Sequence, residues 1–468
     1  MKKNIQSFAF LFFLWSSIFA QNAFDVKLDS TILSYREVVA TVNVPWEITY
    51  GKDDFIWGTE RRGRIFRLNP NTGVLTYVLN IESVIAGKGT SEPGLLGFTF
   101  HPNFPDSNKV FAVYNYTESG ATKERLVSFE WNGTALVKEK KLIDNIAGGN
   151  IHNGSRLLIS KDNKILMTTG DVGQNTNSQK LDVILGKVLR INLDGTIPSD
   201  NPYPNSYIYS FGHRNSQGLC FGPNGQLYSS EHGQTNDDEF NIIEPKRNYG
   251  WPSVQGLCNT ATEQTFCQEN NVKEPIWTWS PCVAVNDLCY YTHDAIPEWK
   301  NKILICVMGG FNNKKPRVSV MNMSADGKTV IDEKLYFQNF GRIRDICINP
   351  KNGTIYLATN GPNYPGAGPN KIIEYTPKKQ AVSSSELNNT ERWVTIYPTP
   401  AKTTLNFDFG KKVQGESFQI YDLNGKNVFN DKIQGMYQKI DVSNWAKGYY
   451  ILSVENQNGI VSKAFLIE

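Results

Sequence analysis

Residues 217–233 read QGLCFGPNGQLYSSEHG. A short apolar run, a turn signal of Gly, Pro and Asn, and a second run ending in small residues together describe an antiparallel hairpin. The unit recurs. Working outward, it is found as PWEITYGKDDFIWGTE from Pro45, GLLGFTFHPNFPDSNKVFAVYNY from Gly94 and SRLLISKDNKILMTTGD from Ser155. It returns as YYTHDAIPEWKNKILICVMGG from Tyr290 and RDICINPKNGTIYLATNG from Arg344. Six hairpins at intervals of roughly 50 to 75 residues are what a six-bladed β-propeller leaves in sequence, one per blade. A β-sandwich of this length is the main alternative. The propeller also explains why each unit ends in a polar cluster, because its loops gather at one mouth of the channel. Long helical periodicity is absent, and only residues 175–185 have some helical character.

The chain has 468 residues, enough for more than one domain, with 40% hydrophobic and 20% charged residues. That composition excludes a mainly disordered chain. The formal net charge of +3 gives no electrostatic case for nucleic acid as a partner. Lys2 and Lys3 precede an apolar run, residues 8–15, and SSIFA follows at 16–20, ending in a small residue where cleavage would fall. This reads as an export signal over residues 1–20, since the run is too short to span a bilayer. Export permits disulfides, and Cys258 with Cys267 and Cys282 with Cys289 each flank a polar loop where a local bridge is plausible. Such bridges would contribute roughly 3 kcal/mol each in the chain-entropy model. Cys220, Cys306 and Cys347 lie in apolar, strand-like runs and read as buried thiols.

The propeller is expected over residues 21–375. A polar, Ser-rich linker, TPKKQAVSSSELNNTE, follows at 376–391. Beyond it, residues 392–468 alternate in short strands with hairpin signals at Asn424-Gly425 and Asn458-Gly459, the pattern of a small β-sandwich. The segments YPTPAKTTLNF (397–407), FQIYDLNGKNVF (418–429) and DVSNWAKGYYILSVENQNGIVSKAFLI (441–467) resemble the C-terminal sorting domains of type IX secretion. The resemblance implies passage through outer-membrane secretion machinery and a secreted or cell-surface protein.

Chemistry concentrates in residues 211–252. His152, in GGNIHNGSRLLIS, can accept a proton near neutral pH, and Asp171, in TTGDVGQN, can orient it. Arg214 and Asn215 offer a fork and an amide to a planar acid or quinone. Arg342 and Arg344 alternate on a strand and so share one face, which suits a ligand with several carboxylates. The run SSEHGQTNDDEFN offers oxygen ligands to a hard cation: Gly233 can expose its carbonyl, and Asp237, Asp238 and Glu239 are adjacent acids that call for a cation or donors.

These residues support a family reading. GHRNSQG (212–218), SSEHGQTNDDEFNII (229–243) and NYGWP (248–252) resemble the soluble sugar dehydrogenases that use pyrroloquinoline quinone (PQQ), the glucose/sorbosone dehydrogenases. EPGLLGFTFHPNF, IHNGSRL, LGKVLRIN, IWTWSP and RIRD extend the match over residues 42–375. The resemblance implies oxidation of a sugar at C1, with His152 as general base, Asp171 as its partner, and an electron acceptor outside the chain. It places Arg214, Asn215, Trp279, Arg342 and Arg344 around PQQ. It assigns the carbonyls of Gly233 and Gln234 to a calcium that bridges cofactor and protein, and Glu239 and Tyr249 to a second, structural calcium. Three positions depart from the family pattern. Glu92 replaces a usual Gln near the quinone, Gln234 replaces a frequent Pro, and the cofactor-binding Lys is best matched by Lys314, over Lys315, within GGFNNKKPRVS. A non-catalytic extracellular binding propeller is the rival reading, and a surface adhesin a third that leaves the His152–Asp171 pair unexplained.

Overall fold

Six antiparallel sheets account for most of the chain up to Lys379. The computed structural model describes residues 23–87, 91–309, 314–338, 340–361, 370–379, 394–409, 417–456 and 459–468. The expected export signal lies outside the described residues. Each sheet is a meander whose first strand lines the axis. These innermost strands are Pro45–Tyr50, Leu95–Phe100, Gly154–Ile159, Ser216–Phe221, Val285–Tyr291 and Ile343–Ile348. Each contacts the next, and the last contacts the first, so they close a ring. The chain is a six-bladed β-propeller.

The hairpin read from sequence is the inner half of each blade. Ser216–Phe221 pairs with Leu227–Glu231 in the register Ser216↔Glu231 to Phe221↔Leu227. Asn224 and Gly225 turn the chain with φ of 58° and 75°, which is why an Asn-Gly pair stands there. Second strands such as Leu227–Glu231 and Ile355–Thr359 are buried along their whole length, because a blade is covered on both faces. Outer strands are more exposed; Leu75–Asn80 and Val330–Tyr336 alternate weakly. That weakness hid them in the sequence.

The sixth blade has five strands. Ile343–Ile348, Ile355–Thr359 and Ile372–Lys379 are completed by Thr31–Val39 and the short Val26–Lys27. Thr31 pairs with Lys379, so residues 376–379 continue the strand where a linker was expected. Two local differences follow the same logic of loops. Residues 175–179 form a 3-10 turn and no longer helix. An α-helix at Ala261–Glu269, capped at its N-terminus by a capping box of Thr260 and Glu263, occupies a loop without helical periodicity in its apolar residues. Cys258 and Cys267 clamp that helix in a disulfide. The second expected bridge is absent: Cys282 and Cys289 are free, Cys282 lying just before the inner strand of blade five and Cys289 within it. Cys220, Cys306 and Cys347 are buried thiols.

The second unit begins beyond residue 379. Val394–Tyr397, Thr404–Phe409 and Tyr437–Asp441 form one sheet, and Asn427–Lys432, Ser417–Asp422, Gly448–Asn456 and Gly459–Ile467 the other. One apolar core holds Phe407, Phe409, Phe418 and Phe465, as a β-sandwich requires.

Candidate active site

The beginnings of all six innermost strands meet at a cavity of about 430 Å³. Trp46, Leu96, Gly154, Asn215, Ala284 and Arg342 each enter it from a different blade. Glu92, His152, Arg214, Gly233, Gln234, Asp238 and Arg344 line it too, so nine of the residues singled out in sequence converge on one space.

His152 sits in the loop that enters blade three, with φ of 54°. Its N–H donates to Glu92 Oε2 at 2.7 Å, and its carbonyl accepts from Val172 N at 3.2 Å. These bonds hold a backbone conformation that is unusual for a residue with a Cβ. The ring Nδ1 lies 2.7 Å from Asp171 Oδ1. A carboxylate only accepts, so Nδ1 carries the hydrogen and Nε2 is the basic nitrogen. Asp171 is fully buried. It accepts further from Gly173 N at 2.9 Å and Trp251 Nε1 at 2.9 Å. Burial pushes its carboxyl up, but the bonds from His152, Gly173 and Trp251 outweigh that and hold it below the usual carboxylate range.

The cationic side of the cavity is built differently. Arg344 Nη2 donates to Gln217 Oε1 at 2.9 Å and its Nη1 approaches Met308 Sδ at 3.5 Å. Arg342 Nη2 lies 3.8 Å from the same sulfur. Burial pushes the Arg344 guanidinium down to about 9, with the charges of Arg156 and Arg342 adding to the effect. Arg344 Nε, Arg214 Nε and His232 Nε2 are buried without hydrogen-bond partners. The two guanidinium nitrogens are buried donors, and buried polar atoms of this kind cost free energy unless a ligand meets them. An anionic, planar, multi-oxygen group fits this wall, and PQQ is such a group.

The loop 232–239 is held by Asp238. Its carboxylate accepts from Gly233 N at 2.8 Å, Val283 N at 2.7 Å and Ala284 N at 2.6 Å. Of the three adjacent acids, Asp238 therefore has main-chain donors in place of a cation. Only glycine fits at 233, since a Cβ would stand 2.1 Å from Asn236 O. Glu239 points elsewhere, accepting from Gly256 N and Asn241 Nδ2, both at 2.9 Å. Burial, with Glu231 opposite it across the strand pair, pushes its carboxyl up to about 8. The Oδ1 of Asn241 beside it is buried without a partner. A buried carboxyl whose ionised form lacks a compensating charge, next to an orphaned amide oxygen, fits a hard cation. The Tyr249 hydroxyl is committed to Ile242 O and Glu244 N, so only its main-chain carbonyl is left to take part. Among the described residues no three His, Cys, Asp or Glu side chains are placed to hold a metal together, so cation sites here would depend on carbonyl oxygens.

Two expected cofactor contacts lie outside the cavity. Trp279 is in the outermost strand of blade four, buried among Tyr228, Phe240 and Val285, and donates from Nε1 to Glu333 at 3.1 Å. Lys314 is exposed and lines a separate groove with Trp279, Lys315 and Arg317. The sequence reading missed Trp46, Arg61, Gln217, His232 and Met308. Gln217 and His232 were within quoted motifs, and alternation from Asn215 would have placed Gln217 on the same face. Trp46, Arg61 and Met308 carried no local signal.

Comparison with known proteins agrees with this fold. Residues 42–365 match the glucose/sorbosone dehydrogenase family, and residues 395–468 match the secretion system C-terminal sorting domain. Quinoprotein glucose dehydrogenase B of Acinetobacter calcoaceticus is 34% identical over 261 residues, 49% of this chain and 54% of that protein, so the alignment spans about half the relative's length. The aldose sugar dehydrogenase of Escherichia coli is 27% identical over 69% of this chain and 91% of its own. The PQQ-bound aldose sugar dehydrogenase of Streptomyces coelicolor superposes with a TM-score of 0.63 at 25% identity, covering 74% of this chain and 98% of that one.

Proposed function

The chain belongs to the glucose/sorbosone dehydrogenase family, and on that premise we propose that it is an exported PQQ- and calcium-dependent dehydrogenase that oxidises aldoses at C1 to lactones. One observation carries the reading. A histidine poised as a base by a buried carboxylate shares a cavity with arginines whose buried donors await an anion. Arg214, Arg344 and His232 would hold the cofactor's oxygens, and the carbonyls of Gly233 and Gln234 would meet a bridging calcium. When bound, PQQ supplies a two-electron acceptor for hydride. His152 Nε2 accepts the proton of the anomeric hydroxyl as the C1–H bond is lost and C1 becomes a carbonyl. Asp171 stays ionised and stabilises the imidazolium that forms. Glu92 holds the base by its main chain and so acts on position, not on the proton. Glu239, with the main-chain carbonyl of Tyr249, would hold a second, structural calcium. The sorting domain over residues 395–468 supports a secreted or cell-surface location and a passing contact with secretion machinery.

Reconstitution of the purified protein with PQQ, with and without calcium, tests the proposal. The expected result is tight PQQ binding, sugar-dependent reduction of an artificial acceptor, and a lactone or its aldonate by NMR. Failure to bind PQQ overturns the reading; binding without oxidation of any aldose favours a non-catalytic propeller. His152→Ala is expected to keep PQQ affinity and to lower kcat by about 10²- to 10⁴-fold. Full activity in that variant would remove His152 as the base.

A further inference from the structure

Gln217 touches two cofactor-facing residues that come from different blades. Its Oε1 accepts from Arg344 Nη2 at 2.9 Å, and its Nε2 donates to Asn215 Oδ1 at 2.9 Å. It is buried, its main-chain carbonyl accepts from Arg156 Nε at 2.7 Å, and its Nε2 also reaches Gly154 O at 3.5 Å, so the NH₂ faces two acceptors. An arginine can only donate. The Gln217 oxygen must therefore face Arg344, which leaves its NH₂ to face Asn215. Asn215 in turn must offer its oxygen to Gln217. The N–H of Gly154, a second fixed donor from blade three, also reaches Asn215 Oδ1, at 3.2 Å. With Oδ1 taken from both sides, the Asn215 amide is left with its NH₂ as the group it presents to the cavity.

We propose that Gln217 is a positioning residue that relays the donor-only polarity of Arg344 to Asn215, so that the site offers Asn215 as a hydrogen-bond donor and selects a ligand with an acceptor oxygen there. The inference rests on the PQQ reading given above, and it deepens it. The group opposite Asn215 is a carbonyl or carboxylate oxygen, never a hydroxyl donating its hydrogen. In Gln217→Glu both side-chain oxygens accept. One still serves Arg344, and the other repels Asn215 Oδ1, which turns the Asn215 amide and points its oxygen at the ligand.

A double-mutant cycle separates this from the added negative charge. PQQ dissociation constants are measured by tryptophan fluorescence quenching for the unsubstituted protein, Gln217→Glu, Asn215→Ala and the double variant, with apoprotein Tm alongside. In the Asn215→Ala background only the charge effect remains. The expected result is that Gln217→Glu weakens PQQ binding by about 30-fold in the native background and about threefold with Asn215→Ala, with Tm nearly unchanged. Equal factors in the two backgrounds overturn the relay. If Gln217→Glu does not fold, Gln217→Met in the same two backgrounds takes its place, weakening binding only where Asn215 is present. Loss of PQQ binding by the unsubstituted protein overturns the functional reading and the relay together; equal factors overturn the relay alone.

Discussion

Arg156 and Arg344 both lie over the Trp46 ring, at 4.4 Å and 4.5 Å, yet their surroundings are opposite. Arg156 Nη1 reaches Glu47 at 2.5 Å, Asp345 at 2.9 Å and Asp287 at 3.4 Å, carboxylates from three other blades. Burial works against its charge, but those acids outweigh burial and hold it above the ordinary guanidinium range. Arg344 is met by an amide oxygen and a thioether, and burial pushes it down. One arginine is a fastening between blades. The other keeps a buried donor without a partner, which on the proposed reading is met by the cofactor. Burial alone does not tell a structural charge from a binding charge; the partners do.

The largest effect expected from this contrast is on stability. Arg156→Met leaves three buried carboxylates facing one another and should cost about 3–5 kcal/mol, read by chemical denaturation. Arg344→Met should cost nothing there, and equal destabilisation would break the comparison. Glu124 sharpens it from the acid side. It is buried against Ser155 Oγ at 2.7 Å and Asn115 Nδ2 at 3.3 Å. Burial pushes its carboxyl from 4.5 up to about 8. The folded state thus keeps a proton that the unfolded chain releases above 4.5, so stability falls as pH rises from there to about 8. Glu124→Gln lacks this loss, and its advantage should grow across that window to on the order of 2–4 kcal/mol. A constant difference between pH 5 and 8 would show that Glu124 is ionised throughout.

Smaller effects fall on function. Arg344→Met should weaken PQQ binding by about 10- to 100-fold, the worth of a charge-assisted hydrogen bond, in an otherwise intact propeller. Trp251→Phe removes one donor from Asp171 and should lower kcat by about five- to tenfold with PQQ affinity kept. Unchanged kcat would mean that His152 and Gly173 suffice to orient the carboxylate.

Legibility in the sequence followed burial. Inner hairpins such as 217–233 were readable because each covered strand carries a short apolar run and the turns between them need Asn and Gly. Alternation placed Arg342 and Arg344 on one face, and both line the cavity. Trp279 and Lys314 lie outside the cavity, and their order along the chain could not show this, since it says nothing about which strand of a blade a residue occupies. Trp279 belongs to an outer strand. The Cys282–Cys289 bridge failed for a similar reason. The loop was read by its length, whereas Asp238 accepts from the N–H groups of Val283 and Ala284 and fixes the segment without a crosslink. Arg156 and its carboxylates gave no signal, since four residues from four blades have no spacing to read.

The blade that presents Arg342 and Arg344 is also the one that joins the two ends of the propeller. Arg36 bonds Glu374 across 338 residues of chain. Synthesis therefore sets an order of events. Until residue 379 has emerged, the strand that pairs with Thr31–Val39 is incomplete and the blade beneath the arginine pair lacks its outer half. A chain that stops short of residue 379 would therefore carry the arginine pair on an unfinished blade.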